Sequence, residues 1–125
     1  MDEREFVAAF EACTLPAAEF THRQHVRLAW LYLRDEPLLT ALTRFAEGLK
    51  RYATSLGAAS KYHETITWAF LFLIRDRMRQ EATFEEFAAN NEDLFAWQPL
   101  LARYYKEETL QSARARAAFV MPDVA

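Results

Sequence analysis

The stretch FTHRQHVRLAWLYLRDEP, residues 20–37, shows how the chain is organised. Thr21 can cap the start of a helix, because its hydroxyl can accept a hydrogen bond from an early backbone amide. Apolar residues then recur at intervals of three and four, the spacing of one helix face. Asp35 or Glu36 can cap the next helix, with Pro37 in its first turn. The stretch therefore predicts two consecutive helices joined by a very short connection.

The same spacing extends in both directions along the chain. Only two glycines occur, and no segment alternates apolar and polar residues as a strand does. Gly57 is placed to end the third helix. The predicted helices cover roughly residues 3–14, 21–34, 37–56 and 62–79, and shorter ones begin near Thr83, Pro99 and Leu110. We therefore predict an all-α helical bundle forming a single domain over residues 1–125, with four main helices in up-down order and short C-terminal helices.

Composition excludes several classes of protein. The chain has 125 residues, of which 52% are hydrophobic, so it can form a core but is about one domain in size. Its net charge of −3 lacks the basic character of nucleic-acid-binding proteins. The longest apolar run, residues 66–74, is far short of the ~20 residues that span a bilayer. With a single cysteine and an acidic N-terminus unlike a signal peptide, we expect a cytoplasmic protein without membrane or nucleic-acid partners.

All three histidines lie at predicted helix starts. His22 and His25 share an inward-facing stripe of the second helix, which continues through Tyr32. His63 begins the corresponding stripe of the fourth helix. In up-down order the second and fourth helices are parallel, so their N-termini lie at the same end of the bundle. Cys13, on the inward face at the end of the first helix, is expected there too.

Three neutral imidazoles with an open fourth position describe a metal site. Zinc is the first candidate, and nickel, copper and iron suit the same ligands. We therefore predict a metal site formed by His22, His25 and His63 in a metal-binding protein, which can be a metal-dependent enzyme. Because helix N-termini favour anions, its small-molecule ligand or substrate is expected to be anionic. If Cys13 completes the shell, the site is instead structural or sensory.

Other interpretations of these residues stay open. The histidines can cap helices and pack, which would make the chain a helical protein-interaction module, for example a homodimer. Glu64 can be a ligand or general base, or a solvated or capping carboxylate. Thr67 can support the His63 ring or bond back along its own helix. Cys13 with a histidine can also form a nucleophile and base, although no cysteine-hydrolase signature accompanies it.

Three motifs carry a resemblance to known proteins: CTLP followed by F-x-H-x-x-H-V-x-L-A-W, then K-Y-H-x-T-I-T, and the C-terminal pattern S-x-x-A-R-x-x-F-V-M-P-D. On these motifs the sequence resembles a family of small, uncharacterised, all-helical bacterial proteins. The resemblance covers most of the chain. It implies a stand-alone helical domain and brings no activity with it.

Overall fold

The computed structural model describes residues 1–124, and it confirms the all-α class, with no strand within that range. The helices are α1 (Glu3–Glu11), α2 (His22–Asp35), α3 (Leu38–Ser55), α4 (Glu64–Arg77), α5 (Phe84–Asn90), α6 (Trp97–Leu101), α7 (Glu107–Leu110) and α8 (Ala113–Ala117). No described helix is both long and apolar enough to cross a bilayer. The chain divides into two compact units, an N-terminal unit of residues Met1–Tyr62 and a C-terminal unit that begins at His63. The single domain and the order of all four main helices stay predictions.

Aromatic packing holds the three helices of the N-terminal unit together. The Phe10 ring on α1 lies 5.6 Å from the Tyr52 ring on α3, and both rings contact Phe20, which precedes α2. At the other end, Arg34 at the end of α2 pairs with Glu3 at the start of α1, so these two helices are antiparallel. The glycine at position 48 lets α3 approach α1 closely. A Cβ added there would lie 2.6 Å from the Phe10 ring.

Two helices of this unit end in the same hydrogen-bonded turn, with a left-handed residue after the helix. Gly57 has a φ of 69° and ends α3 as predicted. Cys13 has a φ of 60° and ends α1, where its N–H and that of Thr14 bond to the Phe10 and Ala9 carbonyl oxygens. The prediction that Cys13 continues the inward face of α1 is therefore wrong, because the helix stops at Glu11. The thiol group belongs to a half-buried turn residue.

Two of the predicted helix starts differ in detail from the structure. Thr21 occupies the N-cap position of α2, but its side chain makes no capping hydrogen bond to the described residues. Pro37 is itself the N-cap of α3, so neither Asp35 nor Glu36 caps that helix. Thr83 does cap α5, accepting a hydrogen bond from the Glu86 amide at 3.2 Å. Backbone geometry at the two turns, rather than a polar side chain, sets the starts of α2 and α3.

The C-terminal unit consists of α4 and four short helices. The starts predicted near Pro99 and Leu110 are wrong in detail, because three helices, α6, α7 and α8, lie where two were expected, and α7 ends at Leu110. The segment after α8 is bonded to α7, because the Asp123 side chain accepts hydrogen bonds from the amide of Lys106, the N-cap of that helix, and from the Thr109 hydroxyl. Tyr105 donates a hydrogen bond to the Val120 carbonyl. The last described residues are thus tied to the body of their unit.

Candidate functional site

One group of candidate residues lies at the end of the N-terminal unit where α2 begins. The His25 ring stacks on Phe20, with ring centroids 3.9 Å apart and planes inclined by 16°. His22 precedes it by one helical turn and interacts with it electrostatically. Tyr52, near the end of α3, donates a hydrogen bond to the Leu15 carbonyl at 2.7 Å. This end of the unit therefore combines two imidazoles with an aromatic wall.

The His25 imidazole is neutral at pH 7. Its pKa is lowered from 6.5 to about 4, first by burial and then by the neighbouring His22, while a hydrogen bond with the Phe20 backbone acts in the opposite direction. A neutral imidazole is the form that binds metals. The chemistry of this pair is therefore compatible with metal binding, although the His25 ring is already stacked on Phe20 and hydrogen-bonded to its backbone.

His63 lies in the C-terminal unit, and both of its ring nitrogens have backbone partners. Nδ1 accepts a hydrogen bond from the Ile66 amide at 3.1 Å, which makes His63 the N-cap of α4. Nε2 lies 2.7 Å from the Leu110 carbonyl oxygen. Because Nδ1 acts as acceptor, Nε2 carries the proton and donates it to Leu110. The capping role weighed for this histidine fits these contacts, and a metal could bind only by displacing one of them.

The residues next to His63 also make structural hydrogen bonds. Thr67 donates to the His63 carbonyl at 2.8 Å, so it bonds back along its own helix. Glu64 accepts a hydrogen bond from the Trp68 indole at 3.0 Å. Thr65, which is fully buried, shares its one hydroxyl proton between the carbonyl oxygens of Ala115 and Ala118 and accepts a hydrogen bond from the Val120 amide. Thr65 of the K-Y-H-x-T-I-T motif thus bonds to residues of the C-terminal pattern within the same unit.

The metal prediction stays a prediction. Within residues 1–124, no three or more histidine, cysteine, aspartate or glutamate side chains are grouped so as to hold a metal ion. His22 and His25 belong to one unit and His63 to the other, so their convergence is a prediction as well. Of the three histidines, His22 and His25 lie one helical turn apart in the same unit, and they are the pair that best fits a metal.

A second candidate site is a cleft in the N-terminal unit, with a volume of about 640 Å³. Its apolar wall consists of Val7, Ala8, Leu31 and Tyr32. Its charged wall carries five carboxylates and three guanidinium groups, from Asp2, Glu3, Arg4, Glu11, Arg34, Asp35, Glu36 and Arg44. This volume lies within the range of pockets that hold small molecules.

The Tyr32 hydroxyl distinguishes this cleft from an ordinary surface groove. It is buried and makes no hydrogen bond to any described residue, although Tyr32 is only 3% exposed. Burial raises its pKa to about 12, followed by the effect of the nearby Glu11 carboxylate. The Arg44 guanidinium lies 5.0 Å from the centre of the Tyr32 ring. A protonated hydroxyl without a partner therefore lies beside the Glu11–Arg44 ion pair.

The spacing of apolar residues in the sequence places Tyr32 on the buried stripe of α2 but indicates no function for it. The periodicity correctly predicts that this position faces inward. It contains no signal for a missing hydrogen-bond partner, because that depends on atoms of α1 and α3.

Comparison with known proteins adds no further assignment. No protein-family description, no curated protein and no solved structure matches this chain. The resemblance to small bacterial proteins therefore stays a prediction.

Proposed function

We propose that this protein binds a small polar molecule in the Tyr32 cleft of its N-terminal unit. The supporting observation is the buried Tyr32 hydroxyl, which has no hydrogen-bond partner among the described residues. Leaving a buried hydroxyl unpaired costs about 1–3 kcal/mol. A ligand atom that bonds to it, once the neighbouring Arg44 side chain has moved aside, therefore gains affinity from a deficit already present in the free protein. The cleft beside it, about 640 Å³, has room for such a molecule.

The proposal predicts a trade-off at Tyr32. Tyr32→Phe removes the unpaired hydroxyl, so the free protein should become more stable by up to about 1 kcal/mol. The same variant should bind the ligand more weakly, because the hydroxyl is then missing from the bound state. A variant that loses stability and binds as tightly as the original protein would show that the Tyr32 hydroxyl takes no part in binding.

A screen of small molecules tests whether the cleft is a binding site at all. The isotope-labelled protein is titrated with compounds of positive, negative and zero charge, and amide chemical shifts are followed by NMR. We expect shifts centred on α1 and α2 around the cleft. Ala8→Trp should fill the cleft and abolish them, whereas Ala59→Trp, at an exposed position outside it, should not. Shifts that survive Ala8→Trp would contradict the proposal.

Metal binding is the second candidate, and the neutral His25 imidazole one turn from His22 favours it. In this proposal His22 and His25 hold zinc, or another divalent metal, with the remaining positions open to an exogenous anion. This retains the predicted chemistry but needs only one unit of the chain. The His63 contacts with Ile66 and Leu110 are then undisturbed.

Elemental analysis of untagged protein tests the metal proposal. His22→Ala and His25→Ala should each lose the metal, while His63→Ala should retain it in the fraction that folds. Cys13→Ser separates an open site from one that uses the thiolate, which would lose metal as severely as the histidine variants. Metal lost in all three histidine variants would instead support the original three-histidine site. Protein that never binds zinc, nickel, copper or ferrous iron would exclude both arrangements.

A further inference from the structure

The charges around the Tyr32 cleft define the class of its ligand. This inference rests on the proposed function and adds the chemical identity of the bound molecule. The five carboxylates outnumber the three guanidinium groups, so the cleft carries a net charge of −2. A surplus of negative charge in a concave site attracts cations and repels anions.

The surplus falls into two ion-pair clusters, each with one guanidinium between two carboxylates. Arg34 bonds to Glu3 and to Asp35, with the shortest contact 2.8 Å. Each cluster thus has one unbalanced negative charge. The nearby Asp2 carboxylate caps α1, and Arg4 balances its charge.

The second cluster repeats the arrangement of the first. Arg44 bonds to Glu11 at 3.0 Å and to Glu36 at 3.2 Å. Both guanidinium groups therefore already form ion pairs with carboxylates. An incoming anion would have to displace one of those carboxylates. An incoming ammonium group instead finds carboxylate oxygens with lone pairs to spare, since each carboxylate offers about four acceptor positions.

The two clusters are separated along α1. Glu3 is the first residue of that helix and Glu11 is the last, so their Cα atoms lie about 12 Å apart at 1.5 Å per residue. Val7 and Ala8 lie between them on the cleft wall, opposite Leu31 on α2. The cleft is thus acidic at two places and apolar between them.

We propose that the cleft binds a linear aliphatic diamine or polyamine. Its two ammonium groups pair with the Glu3–Asp35 and Glu11–Glu36 carboxylates, and its methylene chain lies on Val7, Ala8 and Leu31. The Tyr32 hydroxyl, which has no partner within residues 1–124, is closed off from solvent in the free protein. The Arg44 side chain, which lies 5.0 Å from the centre of the Tyr32 ring, therefore has to move aside before the ammonium group beside Glu11 can donate a hydrogen bond to the Tyr32 oxygen.

A matched set of six-carbon probes tests the ligand class on the full chain. Diaminohexane, hexylamine, hexanediol and adipate each contain six carbons and differ in their end groups, which are two ammonium groups, one ammonium group, two hydroxyls and two carboxylates. Diaminopropane tests the spacing. We expect diaminohexane to shift the amides of the cleft and to bind about tenfold more tightly than hexylamine, because the second charged group adds charge-assisted hydrogen bonds. Diaminopropane is too short to reach both clusters and should bind like the monoamine. Adipate should leave the cleft amides unchanged.

Charge-removing variants test the two-ended arrangement. Glu3→Gln and Glu11→Gln should each weaken diaminohexane binding about tenfold. Hexylamine has a single ammonium group and can still bind at the cluster that is left intact in each variant. Glu47→Gln, which removes an exposed carboxylate of α3 outside the cleft, is the control and should leave binding unchanged. Binding that is insensitive to both Glu3→Gln and Glu11→Gln would overturn the diamine assignment.

The failures of the two proposals are distinguishable. If adipate or hexanediol shifts the cleft amides more strongly than diaminohexane, the diamine class is wrong while the cleft is still a binding site. If no probe of any charge shifts the cleft amides, both the class and the proposed function are wrong.

Discussion

The two units of this chain differ in the length of their helices and in the hydrogen bonds that hold them. The N-terminal unit consists of helices of 9, 14 and 18 residues that bury a mainly apolar core of aliphatic and aromatic side chains. The C-terminal unit has one helix of 14 residues and four of 4 to 7 residues. There, side chains of α4 and the chain end bond directly to the backbone of distant residues.

Helix length explains the difference. Isolated helices shorter than about 12–15 residues are marginal in water, so four-residue helices need outside partners for their end groups. His63, Thr65 and Asp123 supply these partners in the C-terminal unit. The longer helices of the N-terminal unit can be held by apolar burial, and they leave the Tyr32 hydroxyl without a partner. The first unit can therefore accommodate a binding site. In the second unit, these polar side chains form the hydrogen bonds that stabilise its short helices.

The largest expected effect is at Thr65. Thr65→Val keeps the shape but leaves the Val120 amide and two carbonyl groups without their partner, so the free energy of unfolding should fall by about 3 kcal/mol. Thr43→Val removes a hydroxyl at an exposed position of α3 that donates to the Leu39 carbonyl of the same helix. This change should lower the free energy of unfolding by less than about 0.5 kcal/mol. Urea denaturation measures both. Equal losses would contradict the structural role of the hydrogen-bond network.

Acid should destabilise the N-terminal unit through His25. Because burial lowers the pKa of His25 from 6.5 to about 4, its contribution to stability is fully present above pH 6.5 and is lost as the pH falls toward 4. The loss over that window should be about 3 kcal/mol. His25→Gln cannot titrate and should show a correspondingly smaller loss in urea denaturation across the same pH range. Identical pH profiles for the two proteins would show that His25 is not buried as described.

His63 should act as a helix cap. His63→Ala removes both the cap of α4 and the bond to Leu110, and we expect the free energy of unfolding to fall by about 2 kcal/mol. His63→Asn restores an acceptor for the Ile66 amide and should recover about half of that loss. Thermal or urea denaturation in metal-free buffer makes the measurement. If asparagine is no better than alanine, capping is not what His63 contributes.

The smallest expected effects are at the two left-handed helix ends. Cys13→Gly should stabilise the protein by up to about 1 kcal/mol, because glycine adopts a φ of 60° without strain. Gly57→Ala should destabilise it by about 1 kcal/mol, and no atom lies within 4 Å of the added Cβ, so the cost is purely backbone. Melting temperatures of the pair should shift in opposite directions. A shift in the same direction would mean that the Cys13 side chain makes a stabilising contact.

The sequence by itself determined the helical class and much of the helix layout. Apolar spacing of three and four predicts the long helices, and Gly57 and Thr83 mark a helix end and a helix start through backbone freedom and a hydroxyl cap. It also identified His63 as a residue at a helix start that can cap. These features are local, since each depends on residues within a turn or two of chain.

Only the tertiary structure decided the remaining features. Cysteine has no preference for a left-handed turn, so the end of α1 at Glu11 depends on packing rather than on local sequence. The short C-terminal helices depend on hydrogen bonds across about 50 residues of chain, such as the one from Thr65 to Ala115, which no local pattern contains. The unpaired Tyr32 hydroxyl is likewise a property of its neighbours. A sequence shows which atoms can form hydrogen bonds, but the packing of distant residues decides which of them are left without a partner.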